Sequence, residues 1–440
     1  MSNYPINIKT LSPLHIGNGE KLTSVGEYVA SNSTIRIIDQ EHLRGLLNAN
    51  DLSQAYLEYI LNYAENTHVW DFFTNQKIEK ELHFTREFPL NAESFNPVSN
   101  NILELAIQTH RQKYIPGSSL KGAIRTMVFA YCIYTDPSLK SEIEEIINQD
   151  KNDLYKIRKQ VQEKEEEWLN GDFNHFGITD SEGVHDENVV AEIARRVHLF
   201  GVETDGLDNL RECITAGTQI KTTIAVKSTP INAQLQWLYD EDLAGLFRAI
   251  NLVMDQYIGF EINLLSKSNN EVAKELIKSL QDLQQEMKQF GNEAAILRLG
   301  KGKTYYFQVI LPMLNQKAHD KIIQLIVKDE EARANFPETR VLNDYNEMFG
   351  WLKVSLPAFA IPEANIIHNK VETLKKDETV LAAYFIDPKT VQLSLNGVLY
   401  EKLQLVNKLK TSFRKGTPIQ VMVKQITKEG RLNQVELINK

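Results

Sequence analysis

The 440-residue sequence has only two cysteines, Cys132 and Cys213, far apart and each in an apolar stretch. A disulfide framework or a cysteine zinc site is therefore not expected, whereas two buried thiols are. No apolar run approaches the roughly 20 residues that a bilayer span needs. The start, Met1-Ser2-Asn3-Tyr4-Pro5, lacks the basic and apolar stretches of a secretory signal. The expectation is a cytoplasmic protein without membrane contact. An excess of positive charge is missing too: 49 Lys and Arg face 58 Asp and Glu, a net charge of -9. This balance counts against a free-standing, non-specific nucleic-acid binder. It still permits a local basic groove, because the charge is uneven. Acids cluster at Glu142, Glu144 and Glu145 and again at Glu163 and Glu165–Glu167. Cations dominate around Arg111–Arg125 and Arg298–Lys303.

Signatures of common chemistries are also missing. There is no Gly-x-Ser-x-Gly elbow and no zincin helix. The ten histidines are scattered, and His185-Asp186-Glu187 has no second ligand pair, so it reads as a surface loop. No metal and no cofactor are expected.

What is present is the mixed pattern of an α+β protein. Ile6 and Ile8 alternate with polar residues, which predicts a strand running into the turn-rich Ser12-Pro13-Leu14-His15-Ile16-Gly17-Asn18-Gly19. Thr34–Ile38 predicts another strand, and Asp39 is placed to cap a helix over about 40–47. A helix follows Gly117 to about Tyr134. Residues 138–172 are strongly charged and helical in pattern, which suggests a helical insertion at the surface. The run from Glu212 to Val226 predicts a β-branched, alternating strand fed by a bulge or turn at Thr215, Gly217 and Thr218, and helices are expected over about 234–265 and 270–290. After about residue 376 short alternating segments suggest a small β module, OB-like in character. The expected division is an N-terminal domain over 1–228, a second over 229–375, and the β module over 376–440.

Three segments carry chemistry. The first is the most informative: Tyr114-Ile115-Pro116-Gly117-Ser118-Ser119-Leu120-Lys121-Gly122-Ala123-Ile124-Arg125. A small-residue turn opens a helix, whose first N–H groups form a natural phosphate site. Lys121 and Arg125, spaced i, i+4, rise from one face. A Walker A loop is excluded, because Lys121 precedes Gly122 and Ala123 stands where a magnesium-binding hydroxyl is needed. The second is Leu14–Gly19. Its glycines allow close approach of a ligand, and His15 is placed either to contact RNA or, in an alternative reading, to act as general base in a metal-independent endoribonuclease. The third is Arg298-Leu299-Gly300-Lys301-Gly302-Lys303, where alternating glycine and lysine suit a phosphate chain. Tyr305 and Tyr306 after it could stack on unpaired bases. The residue-based expectation is RNA contact through His15, Gly17, Gly117, Ser118, Ser119, Lys121, Arg125, Arg298, Gly300, Lys301, Gly302 and Lys303.

These motifs, in this order and with Arg211-Glu212-Cys213 between the second and third, resemble the RAMP superfamily of CRISPR RNA-binding proteins. Within it they are similar to the fifth-Csm-subunit lineage of type III-A effector complexes, over roughly residues 5–355. The resemblance implies two ferredoxin-like (RRM-like) units with the helical insertion and the small C-terminal β module. It also implies a non-catalytic subunit in antiviral defence, which caps the 3′ end of the guide RNA and is needed for guide maturation by recruited host nucleases. The implied partners are the guide RNA and the other Csm subunits, especially the backbone RAMP subunit. Residues after about 375 match nothing in that pattern.

Overall fold

The computed structural model describes residues 2–31, 33–62, 68–92, 102–109, 112–149, 153–169, 173–200, 209–226, 235, 237–238, 243–290, 292–301, 306–357, 380–387, 389–395, 398–406, 418–426 and 432–437. The chain begins with strands β1 (Ser2–Thr10), β2 (Gly17–Thr23), β3 (Tyr28–Ala30) and β4 (Thr34–Ile38), then helices α1 (Gln40–Ala49), α2 (Ser53–Leu61) and α3 (Val69–Asn75). Strands β5 (Phe84–Asn91), β6 (Ile102–Ala106), β7 (Gln108–Thr109) and β8 (Gln112–Lys113) lead into helices α4 (Gly117–Thr135), α5 (Pro137–Asn148) and α6 (Leu154–Leu169). Next come β9 (Phe176–Ile178), β10 (Val189–His198), β11 (Asn209–Ile214) and β12 (Gln219–Val226), then α7 (Ala244–Leu265) and α8 (Glu271–Gln289). The unit closes with β13 (Ala294–Arg298), α9 (Gln316–Ile326), α10 (Glu330–Arg333), β14 (Thr339–Leu342) and β15 (Trp351–Ser355). The last strands are β16 (Val380–Asp387), β17 (Thr390–Leu395), β18 (Val398–Leu405), β19 (Pro418–Ile426) and β20 (Leu432–Leu437).

Local chemistry explains several of these boundaries. The Asp39 carboxylate accepts from the N–H groups of Glu41 and His42, which starts α1 where the sequence predicts it. Asp136 does the same for α5, with Pro137 at its first position, and Asn270 caps α8. In β1, Ile6 and Ile8 point into the core and are fully buried. In α4, Leu120, Ala123, Ile124, Met127 and Val128 recur at helical spacing and are buried in the same core.

Two sheets shape the larger unit. One is antiparallel, in the order β13-β15-β1-β12-β9. Helices α4 and α7 share the large core cluster with its residues. The other runs β2-β6-β11-β10-β5-β4-β3, with β14 also paired to β10. The expected boundary at 228/229 is not seen. β1 has two edges to satisfy; β12 fills one and β15, from beyond that boundary, fills the other. Met1–Leu356 is accordingly one compact unit, and Pro357–Lys440 is a second.

Other expectations fare differently. The run over 212–226 is divided between β11 and β12 by the turn read at Thr215–Thr218, where Gly217 has φ +86°. The charged insertion is α5 and α6, but it is more than a solvated hairpin: Leu139, Ile143, Ile147, Ile157 and Val161 are fully buried in the main core. The C-terminal module is a closed five-stranded barrel in the order β16-β17-β18-β20-β19, with β18 and β20 parallel. No helix among the described residues is long and apolar enough to cross a membrane.

Candidate functional site

The loop after β1 is fixed by main-chain bonds on two sides. Leu14 and Ile214 exchange N–H···O bonds of 2.9 Å, tying the loop to the end of β11. On the other side the Lys301 N–H donates to the His15 carbonyl at 2.9 Å. Gly300, at φ +79°, makes this approach possible. A Cβ there would stand 2.2 Å from the His15 carbonyl oxygen. Two segments far apart in sequence, both expected to contact RNA, therefore meet.

Between them lies an open cleft of about 250 Å³ lined by His15, Gly17, Gly19, Glu20, Lys21, Glu104, Leu105 and Lys301. Its floor is an ion-pair network. Lys301 and Arg211 both hydrogen-bond the Glu104 carboxylate, Arg211 through Nε at 3.0 Å, and Lys21 Nζ stands 3.7 Å away. Behind it, the fully buried Glu212 carboxylate binds Arg86, Lys113 at 2.8 Å, and the Ala106 N–H at 2.9 Å. Five cations thus surround two carboxylates. Exposed Glu20 at the rim offsets part of that surplus. Burial pushes the Glu104 carboxyl up, but the hydrogen bonds from Lys301 and Arg211 outweigh it, and the group stays below the ordinary value. Burial also lowers the Lys113 ammonium, with Glu212 opposing. The side chains of Lys301 and Lys21 remain 48% and 57% exposed, so they can reach a ligand.

His15 is almost fully buried, and its Nδ1 lies 2.8 Å from the main-chain carbonyl of Glu212. Burial lowers its pKa below 6.5, with the Glu212 carbonyl opposing, so the ring is neutral at pH 7. No carboxylate bonds Nδ1 or Nε2 in the manner of a catalytic dyad among the described residues.

The other expected residues are placed less favourably. Arg298 is a correction: it is 4% exposed, and its guanidinium donates to the Phe349 carbonyl at 3.0 Å and the Tyr257 hydroxyl at 3.3 Å, over the Trp351 ring. It braces the core and does not face solvent. Gly117 is a second correction. Its N–H, expected to be open to phosphate, donates to the Asp180 carboxylate at 2.8 Å. A Cβ at Gly117 would stand 2.2 Å from the Ile178 carbonyl, so this glycine serves the packing of α4 on β9. Arg125 places its Nε 2.8 Å from Glu165 of α6, inside the charged insertion, with its side chain 28% exposed. Lys121 is half-buried, with Nζ over the Phe173 ring at 5.8 Å. Ser118 is exposed and Ser119 half-exposed. Gly302, Lys303 and Tyr305 lie outside the described residues, as does the Tyr306 side chain.

Lys21, Arg86, Glu104 and Lys113 are not legible as site residues from sequence. Each is a charged residue in an otherwise ordinary strand, with no motif around it, and only tertiary placement brings them together. Arg211-Glu212 reads in sequence as structural, with Glu212 pairing a local cation; its partners Arg86 and Lys113 are in fact remote along the chain. No group of three or more metal-ligating side chains occurs among the described residues.

Comparison with known proteins narrows the reading. A 30% identical stretch of 148 residues, 28% of this chain and 42% of the relative, links it to the CRISPR system Cms protein Csm5 of Enterococcus italicus. The corresponding protein of Streptococcus thermophilus is 29% identical over 135 residues, 28% of this chain and 37% of its own length. The match therefore spans less than half the length of either curated relative. The fold is similar to the crystal structure of T. onnurineus Csm5, with TM-score 0.53 and 18% identity, over 79% of this chain and 99% of that one. It is also similar to a chain in the cryo-EM structure of a type III-A Csm–crRNA–target RNA ternary complex, with TM-score 0.54 and 19% identity, over 80% and 100%. The RAMP superfamily model matches residues 7–307, well over half of the sequence and both loops of the cleft, and the chain belongs to the RAMP superfamily.

Proposed function

We propose that this chain is a non-catalytic, guide-RNA-binding subunit of a type III-A CRISPR effector in the cytoplasm. In this reading it is the Csm5-like subunit that caps the 3′ end of the guide. It associates with the backbone RAMP subunit and admits host nucleases that trim the guide to length. The observation that carries the reading is the convergence of the His15 loop and the Gly300–Lys301 loop on one cleft with exposed lysines. Phosphates are contacted by Lys21 and Lys301, with Gly17 and Gly300 giving the main chain close approach. Ser118, Ser119 and Lys121 provide a second set of contacts. Contacts of this kind hold a guide whatever its sequence, which suits guides that differ in every base.

The fold supports the same reading. Strand order β15-β1-β12-β9, with α4 between β1 and β9 in the chain and α7 after β12, supports a ferredoxin-like reading of this sheet. The second such unit, expected within 229–375, has no separate sheet among the described residues.

Purifying the tagged chain from cells that carry the whole system tests this directly. Sized guide RNAs and sister subunits should co-purify; a clean monomer without RNA overturns the proposal. Incubating the purified chain with repeat-containing precursor RNA in EDTA tests the endoribonuclease alternative. Site-specific cleavage that disappears in His15→Ala would replace the binding reading with an enzymatic one.

A further inference from the structure

The cleft holds an atom that a phosphate does not satisfy. The Glu212 carbonyl can only accept a hydrogen bond, so the His15 Nδ1 beside it carries the proton and donates. In a neutral ring the other nitrogen, Nε2, is then a pure acceptor. It has no hydrogen-bond partner among the described residues. Nε2 lies directly under Gly17: a Cβ on Gly17 would stand 3.0 Å from it. Gly17 is exposed, and its missing side chain is what leaves the path to Nε2 open. Burial lowers the His15 pKa, and the charges of Arg211 and Lys301 add to it, which favours the neutral ring that this tautomer requires.

An acceptor next to exposed lysines asks for a ligand with a donor next to an anion. A ribose-phosphate unit has that pair in its 2′-hydroxyl and its phosphate. Deoxyribose has the phosphate alone. We propose that His15 Nε2 accepts a hydrogen bond from a ribose 2′-hydroxyl, and that this makes the cleft selective for RNA over DNA. The proposal rests on the RNA-binding reading above and deepens it: the lysines supply affinity and the histidine supplies the choice of sugar. It gives Gly17 a role besides turning the chain.

The test uses the full chain and three single-stranded oligonucleotides of one sequence: RNA, all-deoxy, and 2′-O-methyl RNA. Fluorescence anisotropy at pH 7.5 reads each affinity. Wild type should prefer RNA over deoxy by about tenfold, the value of one well-placed hydrogen bond to a group otherwise left unpaired. The 2′-O-methyl strand should bind like the deoxy strand, since it keeps an oxygen but loses the donor. His15→Ala should shrink the preference to about twofold or less, with the salt dependence unchanged because both lysines remain. Since His15 is buried and anchors the loop, Gly17→Ala is the second variant. It keeps the bond to Glu212 and covers Nε2, so it should shrink the preference in the same way. Equal affinity of wild type for RNA and deoxy strands overturns the inference while leaving RNA binding intact. So does a preference undiminished in folded Gly17→Ala. Failure of wild type to bind any of the three strands overturns the RNA-binding reading itself, and this inference with it.

Discussion

The start of α4 and the cleft below the His15 loop look alike in sequence and differ in structure. Both combine glycines with closely spaced cations. At the α4 start two of those groups are taken up by the fold: Asp180 takes the Gly117 N–H and Glu165 takes Arg125, while Lys121, beside the Phe173 ring, stays half-buried. In the cleft the acids lie deep, and although Lys301 bonds the Glu104 carboxylate, the side chains of Lys21 and Lys301 stay about half exposed. A cation's availability is set by acids from distant parts of the chain, and glycine spacing says nothing about them. The two regions therefore make opposite predictions for stability and for RNA affinity.

The largest effect belongs to the floor of the cleft. Glu212→Ala leaves the buried Lys113 and the partly buried Arg86 without their carboxylate, and the loss should be about 3–5 kcal/mol. Urea denaturation at pH 7 measures it. A change below about 1 kcal/mol would show that the network does not organise the cleft.

A different buried carboxylate next to the same strands gives a pH signature. Glu192 is 2% exposed, accepts from Asn91 and Asn343, and has Glu347 and Asp344 nearby. Burial first, then those two acids, raise its pKa to about 7, against hydrogen bonds from Asn91 and Asn343 that lower it. The folded pKa is above the unfolded one. Its contribution to stability is therefore complete below pH 4.5 and is lost as pH rises through about 7. Glu192→Gln should abolish that slope and gain about 3 kcal/mol at pH 8 relative to wild type. Denaturation curves at pH 5 and pH 8 for both proteins check the sign. A wild-type chain with no loss across that range contradicts it.

Much of the fold was legible beforehand because it rests on local rules. Asp39 caps α1 as its position predicts, Ile6 and Ile8 alternate into the core, and the β-branched run ends in β12. The joining of halves was not legible. Nothing in Trp351–Ser355 announces that it will pair with the first strand of the chain. For the site, the His15 loop and Gly300–Lys301 were readable as glycine-assisted contacts, and they do meet. The partners of their charges were not readable, because Glu104, Glu165 and Asp180 act only through tertiary placement. Arg298 failed for the same reason: an arginine ending a strand beside a glycine loop looks exposed until Tyr257 and Phe349 enclose it.

For RNA affinity the comparison can be broken directly. Lys21→Ala with Lys301→Ala should weaken binding of a single-stranded guide by about tenfold or more. The double change should also flatten the slope of log K against log salt by about 1.4, that is, about 0.7 for each phosphate that no longer meets a lysine. Titrations at several salt concentrations provide both numbers. An unchanged slope would remove the cleft from the RNA path.

The smallest effect is expected where the sequence is most informative to the eye. Arg125 and Glu165 form a partly buried pair, with side chains 28% and 13% exposed, and such pairs contribute about 0–1 kcal/mol. Arg125→Ala should therefore cost little stability. Because Glu165 already neutralises the guanidinium, its removal should change RNA affinity by less than about twofold, well below the effect of the lysine pair. Glu165→Ala sharpens the point in the opposite direction, for it releases Arg125 from its partner. If α4 lies along the RNA path, that variant should bind RNA more tightly than wild type and with a steeper salt slope; if α4 serves the fold alone, only the small stability change should follow. A loss of affinity in Arg125→Ala as large as that of Lys21→Ala with Lys301→Ala would restore the helix start as the principal phosphate site and demote the cleft.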